Sequence, residues 1–253
     1  MIITVAQANM ARGTPSGTIV GAMPCRRDSI SARTVHASPR VRRDVDTVTS
    51  YPAQDEARSL PSADVDPTAR LGHGTTVWHL AQVRENAVIG RQCVIGRGAY
   101  VGAGVVIGDR CKLQNFALVY EPATLAEGVF IGPGAVLTND QHPRAVAPDG
   151  RLKGGEDWHA VGVTIGNGAS VGARAVCVAP VTLGAWCLVA AGAVVVHDVP
   201  EHALVVGTPA RQVGWVGRAG IRLEPAGPGR WRCPETGESY RESQGTLTLD
   251  PPG

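Results

Sequence analysis

The sequence predicts an all-β fold, a parallel β-helix of stacked three-sided coils, on three observations. An aliphatic residue recurs every six positions, and a restricted, mostly small residue follows each of them four places on. Aromatic residues make up only 4% of a 253-residue chain that holds 32 glycines. A core with so few rings has to be filled by small aliphatic side chains, which favours a repetitive fold over a globular one. The length suffices for one large domain or two small ones.

The period begins at Val65 and runs through Leu71, Val77, Val83, Ile89, Ile95, Val101, Ile107, Leu113, Val119, Leu125 and Ile131 to Leu137. It resumes at Ile165 and continues through Val171, Cys177, Leu183 and Val189 to Val195, so that eighteen of nineteen lead residues are Val, Ile or Leu. Of the residues four places on, Gln141 alone breaks the pattern of Ala, Val, Cys and Thr. Period six matches neither the 3.6 nor the 3.5 of helices, and one large plus one small inward residue describes a short strand followed by a corner. Three such units close a coil of eighteen residues, and stacked coils pair their strands about 4.8 Å apart. Glycine directly follows nine of the nineteen lead residues, where the corner is expected to need a permissive backbone. The pattern resembles the hexapeptide-repeat acyltransferase family over about residues 61–216. The resemblance implies a left-handed parallel β-helix, an exception to the usual right-handed crossover.

Outside the repeat, residues 1–60 are rich in Ser, Thr, Ala and Arg, the first fifty carrying seven Arg against three Asp. Such a segment buries little apolar surface and reads as a disordered N-terminal extension, with a targeting peptide or an upstream translation start as alternatives. The spacing of 28 positions from Leu137 to Ile165 is not a multiple of six, so one coil ejects a loop at about 140–161. Loops of that length in compact repeats are usually functional. The segment 217–253 reads as a short tail with a hairpin around Pro234-Glu235-Thr236-Gly237.

Bulk properties exclude several function classes. The net charge of +2 gives no reason to expect nucleic acid, and no apolar stretch is long enough to span a membrane. With no secretory signal pattern, the reading is cytoplasmic. The six cysteines form no CxxC pair, so no metal site is expected and they read as buried free thiols in a reducing compartment.

Coil geometry turns an eighteen-residue spacing into vertical stacking. Glu121 and Asn139 occupy the third position of units one coil apart, which places a carboxylate and an amide about 5 Å apart on one edge beside the ejected loop. His79, Arg97 and Asn115 stack in a second such column and are candidate substrate-binding residues. For both columns the plain alternative is a solvated polar ladder.

A closer resemblance covers Gly108 through Asn115, Val119-Tyr120-Glu121, Leu125 through Phe130, Gly132-Pro133, Thr138-Asn139, Pro143-Arg144 and Gly207 through Trp215. These motifs resemble N-acetyltransferases of nucleotide-linked 3-amino sugars. The resemblance implies that Glu121 and Asn139 contact the reacting amine, that the departing CoA sulfur takes the proton, and that Arg144 contacts substrate. It also implies a homotrimer using acetyl-CoA without metal, with cofactor bound in a groove between subunits. Gly166, Gly172, Gly184, Ala190 and Ala191 would leave room for pantetheine there, and Arg211 would meet a CoA phosphate or else be an ordinary surface arginine. Phe116 and His142 depart from the subgroup, which leaves uridine and thymidine forms both open. His142 also opens a histidine-base mechanism, as an O-acetyltransferase of a sugar or serine would need, with His159 a weaker candidate. The remaining alternative is a non-catalytic or zinc-binding β-helix, for which His197 and His202 have a superficially suitable spacing.

Overall fold

In the computed structural model, residues 56–251 are described; the first 55 residues, with the extension expected there and Cys25, lie outside the described residues. The described chain is a parallel β-solenoid closed by an antiparallel C-terminal sheet. One face stacks Arg58–Ser59, Thr76–Val77, Val94–Ile95, Lys112–Leu113, Phe130–Ile131, Ser170–Val171, Leu188–Val189 and Ala203–Val206. The other two faces carry seven and six strands, and the register advances by eighteen residues per coil, as in Leu113 opposite Ile95 and Ile131. The coils thus number about eight, against the six that nineteen units imply. The extra ones are irregular: Arg58–Ser59 precedes the first aliphatic lead, and Ala203–Val206 follows a Pro-containing step.

We call the corner that follows Val77, Ile95, Leu113, Ile131, Val171 and Val189 edge I. Edge II follows Val83, Val101, Val119, Leu137, Cys177 and Val195, and edge III follows Leu71, Ile89, Ile107, Leu125, Ile165 and Leu183. From Val77 onward every lead residue is at most 2% exposed, and the small residues four places on are buried with them, except Gln141. Burial pushes the Cys177 and Cys187 thiols up to about 12, as inert packing groups would show.

The corners correct one expectation. The residue with positive φ is the third after the lead, as at Leu80, Asn86, Gln92, Gly98, Gly104, Arg110 and Phe116. It sits within a turn closed by a bond such as Ala117 N–H to the Gln114 carbonyl, 3.1 Å. Pro122 and Pro180 occupy this slot behind cis peptides instead. The glycines that directly follow the leads serve a different need. A Cβ on Gly96 would lie 2.7 Å from the Asn115 nitrogen of the next coil, so these glycines permit close stacking.

The hairpin expected around Pro234–Gly237 is the centre of a four-stranded antiparallel sheet, Glu224–Pro225, Arg230–Arg232, Ser239–Ser243 and Thr246–Leu249. The indole N–H groups of Trp215, at the solenoid end, and Trp231, in the sheet, both donate to Glu242 Oε2 at 3.1 and 2.8 Å. Buried His202 donates from Nδ1 to the Val216 carbonyl at 2.9 Å and meets the Tyr240 ring edge-on at 5.2 Å. Among the described residues no helix is long and apolar enough to cross a membrane.

His202 makes this junction sensitive to acid. Burial, against the nearby Glu201 and Glu238 charges and with Arg218, holds its pKa below 6.5. The folded state therefore favours neutral imidazole, while the unfolded chain takes up the proton as pH falls below 6.5. The contribution is fully present above that pH and is lost on acidification towards the folded pKa. Melting temperatures between pH 8 and 5 should fall more steeply for the wild type than for His202→Gln; equal slopes would remove His202 as the cause.

Candidate functional site

Third-position side chains on edges I and III show what an ordinary polar column does here. Asn115 Oδ1 accepts the Arg97 N–H at 3.0 Å, Asp109 Oδ1 the Arg91 N–H at 2.7 Å, and Asn167 Oδ1 the Glu127 N–H at 3.1 Å. Each short side chain reaches down one coil and satisfies a backbone donor. Asn115 and Arg97 thus stack as expected, with Asn115 in a structural bond, while His79 Nδ1 lies 2.9 Å from Ser62 Oγ.

Glu121 behaves differently. It occupies the same slot on edge II, but its extra methylene carries the carboxylate over Gly102, and Oε2 is buried with no hydrogen-bond partner. Tyr100 stands beside it, and the Tyr100 and Tyr120 rings lie 5.0 Å apart at 44°. Burial, and then the neighbouring Glu121 charge, push the Tyr100 hydroxyl above its usual pKa. A buried carboxylate oxygen without a donor costs free energy that an Asp bonded in the ladder would not. Edge II is therefore the one edge where such a column carries an unsatisfied charge-bearing atom among the described residues.

Asn139 lies one coil above Glu121, since Val119 pairs with Leu137. Its carbonyl accepts the Val161 N–H at 3.0 Å and so closes the base of the ejected loop, while Thr138 Oγ1 accepts the Ala179 N–H at 3.0 Å across the insertion. The loop is wired internally: Val146 bridges Leu152, Arg151 grips Asp157 through two bonds of 2.8 and 2.7 Å, and Gly155–Asp157 forms one 3₁₀ turn. His142 sits at its root, exposed, with its backbone N–H on Asp140 Oδ1 at 2.8 Å. Arg144 and His159 are likewise exposed.

The remaining candidates fall elsewhere. His79, Arg97 and Asn115 belong to edge I, one face away from Glu121. The small residues divide between two edges, Gly172, Ala190 and Ala191 on edge I and Gly166 and Gly184 on edge III. A Cβ on Gly166, Gly172 or Gly184 would approach the next coil's backbone to 2.6, 2.4 and 2.4 Å, so coil stacking already accounts for these glycines. Exposed Arg211 donates to the Ala210 carbonyl at 2.8 Å. A depression of about 250 Å³ on edge III is lined by His73, Arg91, Gln92, Asp109 and Arg110, with Arg91 paired to Asp109 at 2.7 Å. No group of three or more His, Cys, Asp or Glu able to hold a metal ion occurs among the described residues.

Sequence reasoning missed Tyr100 and Gly102. Their signal was available: both flank Val101, the lead residue one coil below Val119, so they face Glu121 by register.

Comparison with known proteins places the repeat. The bacterial transferase hexapeptide (six repeats) matches residues 104–139, and the hexapeptide repeat of succinyl-transferase matches 86–115 and 162–196. Serine acetyltransferase 4 of Arabidopsis thaliana is 29% identical over 163 residues, 64% of this chain and 32% of that protein. The dTDP-3-amino-3,6-dideoxy-alpha-D-galactopyranose 3-N-acetyltransferase of Aneurinibacillus thermoaerophilus is 44% identical over 57 residues, 22% of this chain and 30% of that protein. The chain spans about a third of the length of these curated relatives. Among solved structures, LpxA, a UDP-N-acetylglucosamine acyltransferase from Bacteroides fragilis, aligns with 16% identity and a TM-score of 0.51 over 64% of this chain and 62% of that one, a likeness of fold. PerB from Caulobacter crescentus, in complex with CoA and GDP-perosamine, aligns at 27% identity and a TM-score of 0.39 over 64% and 58%.

Proposed function

We propose that this hexapeptide-repeat chain is an acetyl-CoA-dependent N-acetyltransferase that acts on the amino group of a nucleotide-linked 3-amino sugar, with UDP or dTDP as the nucleotide. The observation that carries this reading is Glu121: a carboxylate held on an edge with one oxygen buried and unpaired, directly below Asn139. The local 44% identity to a 3-amino-sugar N-acetyltransferase supports the choice of acceptor.

Positioning supplies most of the rate in such a transfer, because the amine has to meet the thioester carbonyl at van der Waals distance. The Glu121 carboxylate and the Asn139 amide oxygen accept hydrogen bonds from the amine and offset the positive charge that develops on it. A sugar amine is partly neutral near pH 7, so no strong base is needed, and the departing CoA sulfur takes the proton. The cosubstrate lies in a groove between copies of a homotrimer, with its thioester carbonyl against edge II, where Glu121 and Asn139 stand. Exposed Leu80 and Phe116 on edge I and Val88 and Val106 on the face before edge III fit such burial. Arg97, Asn115, His79 and Arg144 would bound the nucleotide sugar, and Arg211 a phosphate of CoA. The product is a precursor for surface polysaccharide or glycoconjugate synthesis in the cytoplasm.

A second reading, an O-acetyltransferase with His142 as base, draws on the 29% identity to serine acetyltransferases. A hydroxyl has to lose its proton to a base during attack, whereas an amine need not. Steady-state turnover of His142→Ala separates the two. The N-acetyl reading expects a loss of no more than about threefold and a rising alkaline limb set by the acceptor amine; loss of nearly all activity and of that limb favours the hydroxyl reading.

A further inference from the structure

We infer that Gly102 is a positioning residue for the reaction: the gap above its Cα is the seat that holds the Glu121 carboxylate. The inference rests on the function proposed for Glu121 and deepens it. A Cβ on Gly102 would land on Glu121 Oε2 and lie 2.7 Å from the Glu121 backbone nitrogen and 3.2 Å from the carboxyl carbon. Among the nine glycines that directly follow a lead residue, seven meet only backbone within their nearest contacts. The eighth, Gly90, faces the Asp109 carboxylate, but there Oδ1 is satisfied by the Arg91 N–H at 2.7 Å. Gly102 alone lies beneath a carboxylate with an unpaired oxygen.

Folding does not demand glycine in every copy of that slot. Trp78, Arg84, Gln114, Tyr120 and Thr138 occupy equivalent places after Val77, Val83, Leu113, Val119 and Leu137. A side chain at 102 would press on the Glu121 backbone nitrogen, as at the other glycines that follow a lead, and would in addition displace the carboxylate. With Gly102 beneath and Tyr100 beside it, Glu121 has one oxygen locked into the edge, which fixes where the other can meet an N–H donor. Uncompensated burial of this kind persists where the geometry it imposes is used.

The test pairs Gly102→Ala with Glu121→Ala. Gly102→Ala should lower kcat for the amino-sugar acceptor about 10- to 100-fold, as expected for a reacting group moved by about an ångström, with KM for acetyl-CoA unchanged. Gly108→Ala, in the same slot of edge III but meeting only the Ala126 and Glu127 backbone, should lower the melting temperature and leave turnover intact. In the Glu121→Ala background, Gly102→Ala should cost no further activity and a smaller drop in melting temperature than in the wild type, because the collision is gone. An equal drop in both backgrounds overturns the seat. The thermal cycle needs no acceptor, so it stands or falls apart from the functional reading; intact turnover in Glu121→Ala alongside thermal coupling would reject that reading instead. If Gly102→Ala does not fold, Glu121→Asp serves. The shorter carboxylate should pair its buried oxygen in a ladder bond of the Asp109 kind, raising the melting temperature while turnover falls at least tenfold. Full turnover in Glu121→Asp contradicts the seat.

Discussion

Glu121→Ala and Asn139→Ala are each expected to lower turnover by about 30- to 1,000-fold, equivalent to about 2–4 kcal/mol of transition-state stabilisation. The size follows from what each group is proposed to do. A fixed acceptor of hydrogen bonds, already desolvated on one side, pays no reorganisation when charge appears on the amine. The Glu121 carboxylate is such a group, with Oε2 buried and unpaired and the other oxygen left to meet the amine. The Asn139 backbone is held at the root of the loop through its own carbonyl and through the Thr138–Ala179 bond, which fixes where its side chain starts. Affinity for CoA should barely change in either variant, since neither residue needs to touch it. A comparable fall in CoA affinity, read by calorimetry, would move both residues from the acceptor to the cosubstrate.

Leu113→Ala is expected to destabilise the solenoid by about 2–5 kcal/mol, from lost transfer energy plus the cavity left behind. Leu113 is fully buried and stacks between Ile95 and Ile131, so its loss opens a hole in a column that has no neighbouring ring to collapse into it. For a chain of this size the melting temperature should fall by about 4–20 °C. Because coils contact only their immediate neighbours, the transition should also broaden as the halves on either side of coil 113 lose coupling. A fall of under a degree would mean that the coil repacks freely.

The repeat was legible because inward positions in a coil are chemically monotonous: from Val77 to Val195 the aliphatic leads map one for one onto buried residues. What happens at the corners was less legible. Glycine after the lead suggested a φ requirement, yet it answers a stacking requirement, and the positive φ two residues further on is carried by Leu80, Arg110, Phe116 and Trp186 as well as by glycines. A slot that tolerates so many side chains leaves little composition to read. The C-terminal sheet escaped for a related reason. Glu224–Pro225 has no alternation to mark it as a strand, and its neighbours are held by Trp215, Trp231 and Glu242, which are far apart in sequence. At the candidate site, spacing placed Glu121 and Asn139 in one column, and the adjacent loop and the family resemblance singled them out, but none of these distinguished Glu121 from the ladder residues Asn115 and Asp109. Side-chain length makes that distinction, and only contact with Gly102 reveals it.

The most direct test of the account is the release of free CoA thiol when the purified protein is mixed with acetyl-CoA and each of three acceptors. These are a dTDP- or UDP-linked 3-amino sugar, its 3-hydroxy counterpart and L-serine. The account expects thiol release with the amino sugar, at a rate that falls with Glu121→Ala, and none above background with the two hydroxyl acceptors. Thiol release with serine or the 3-hydroxy sugar, undiminished in Glu121→Ala, would contradict it.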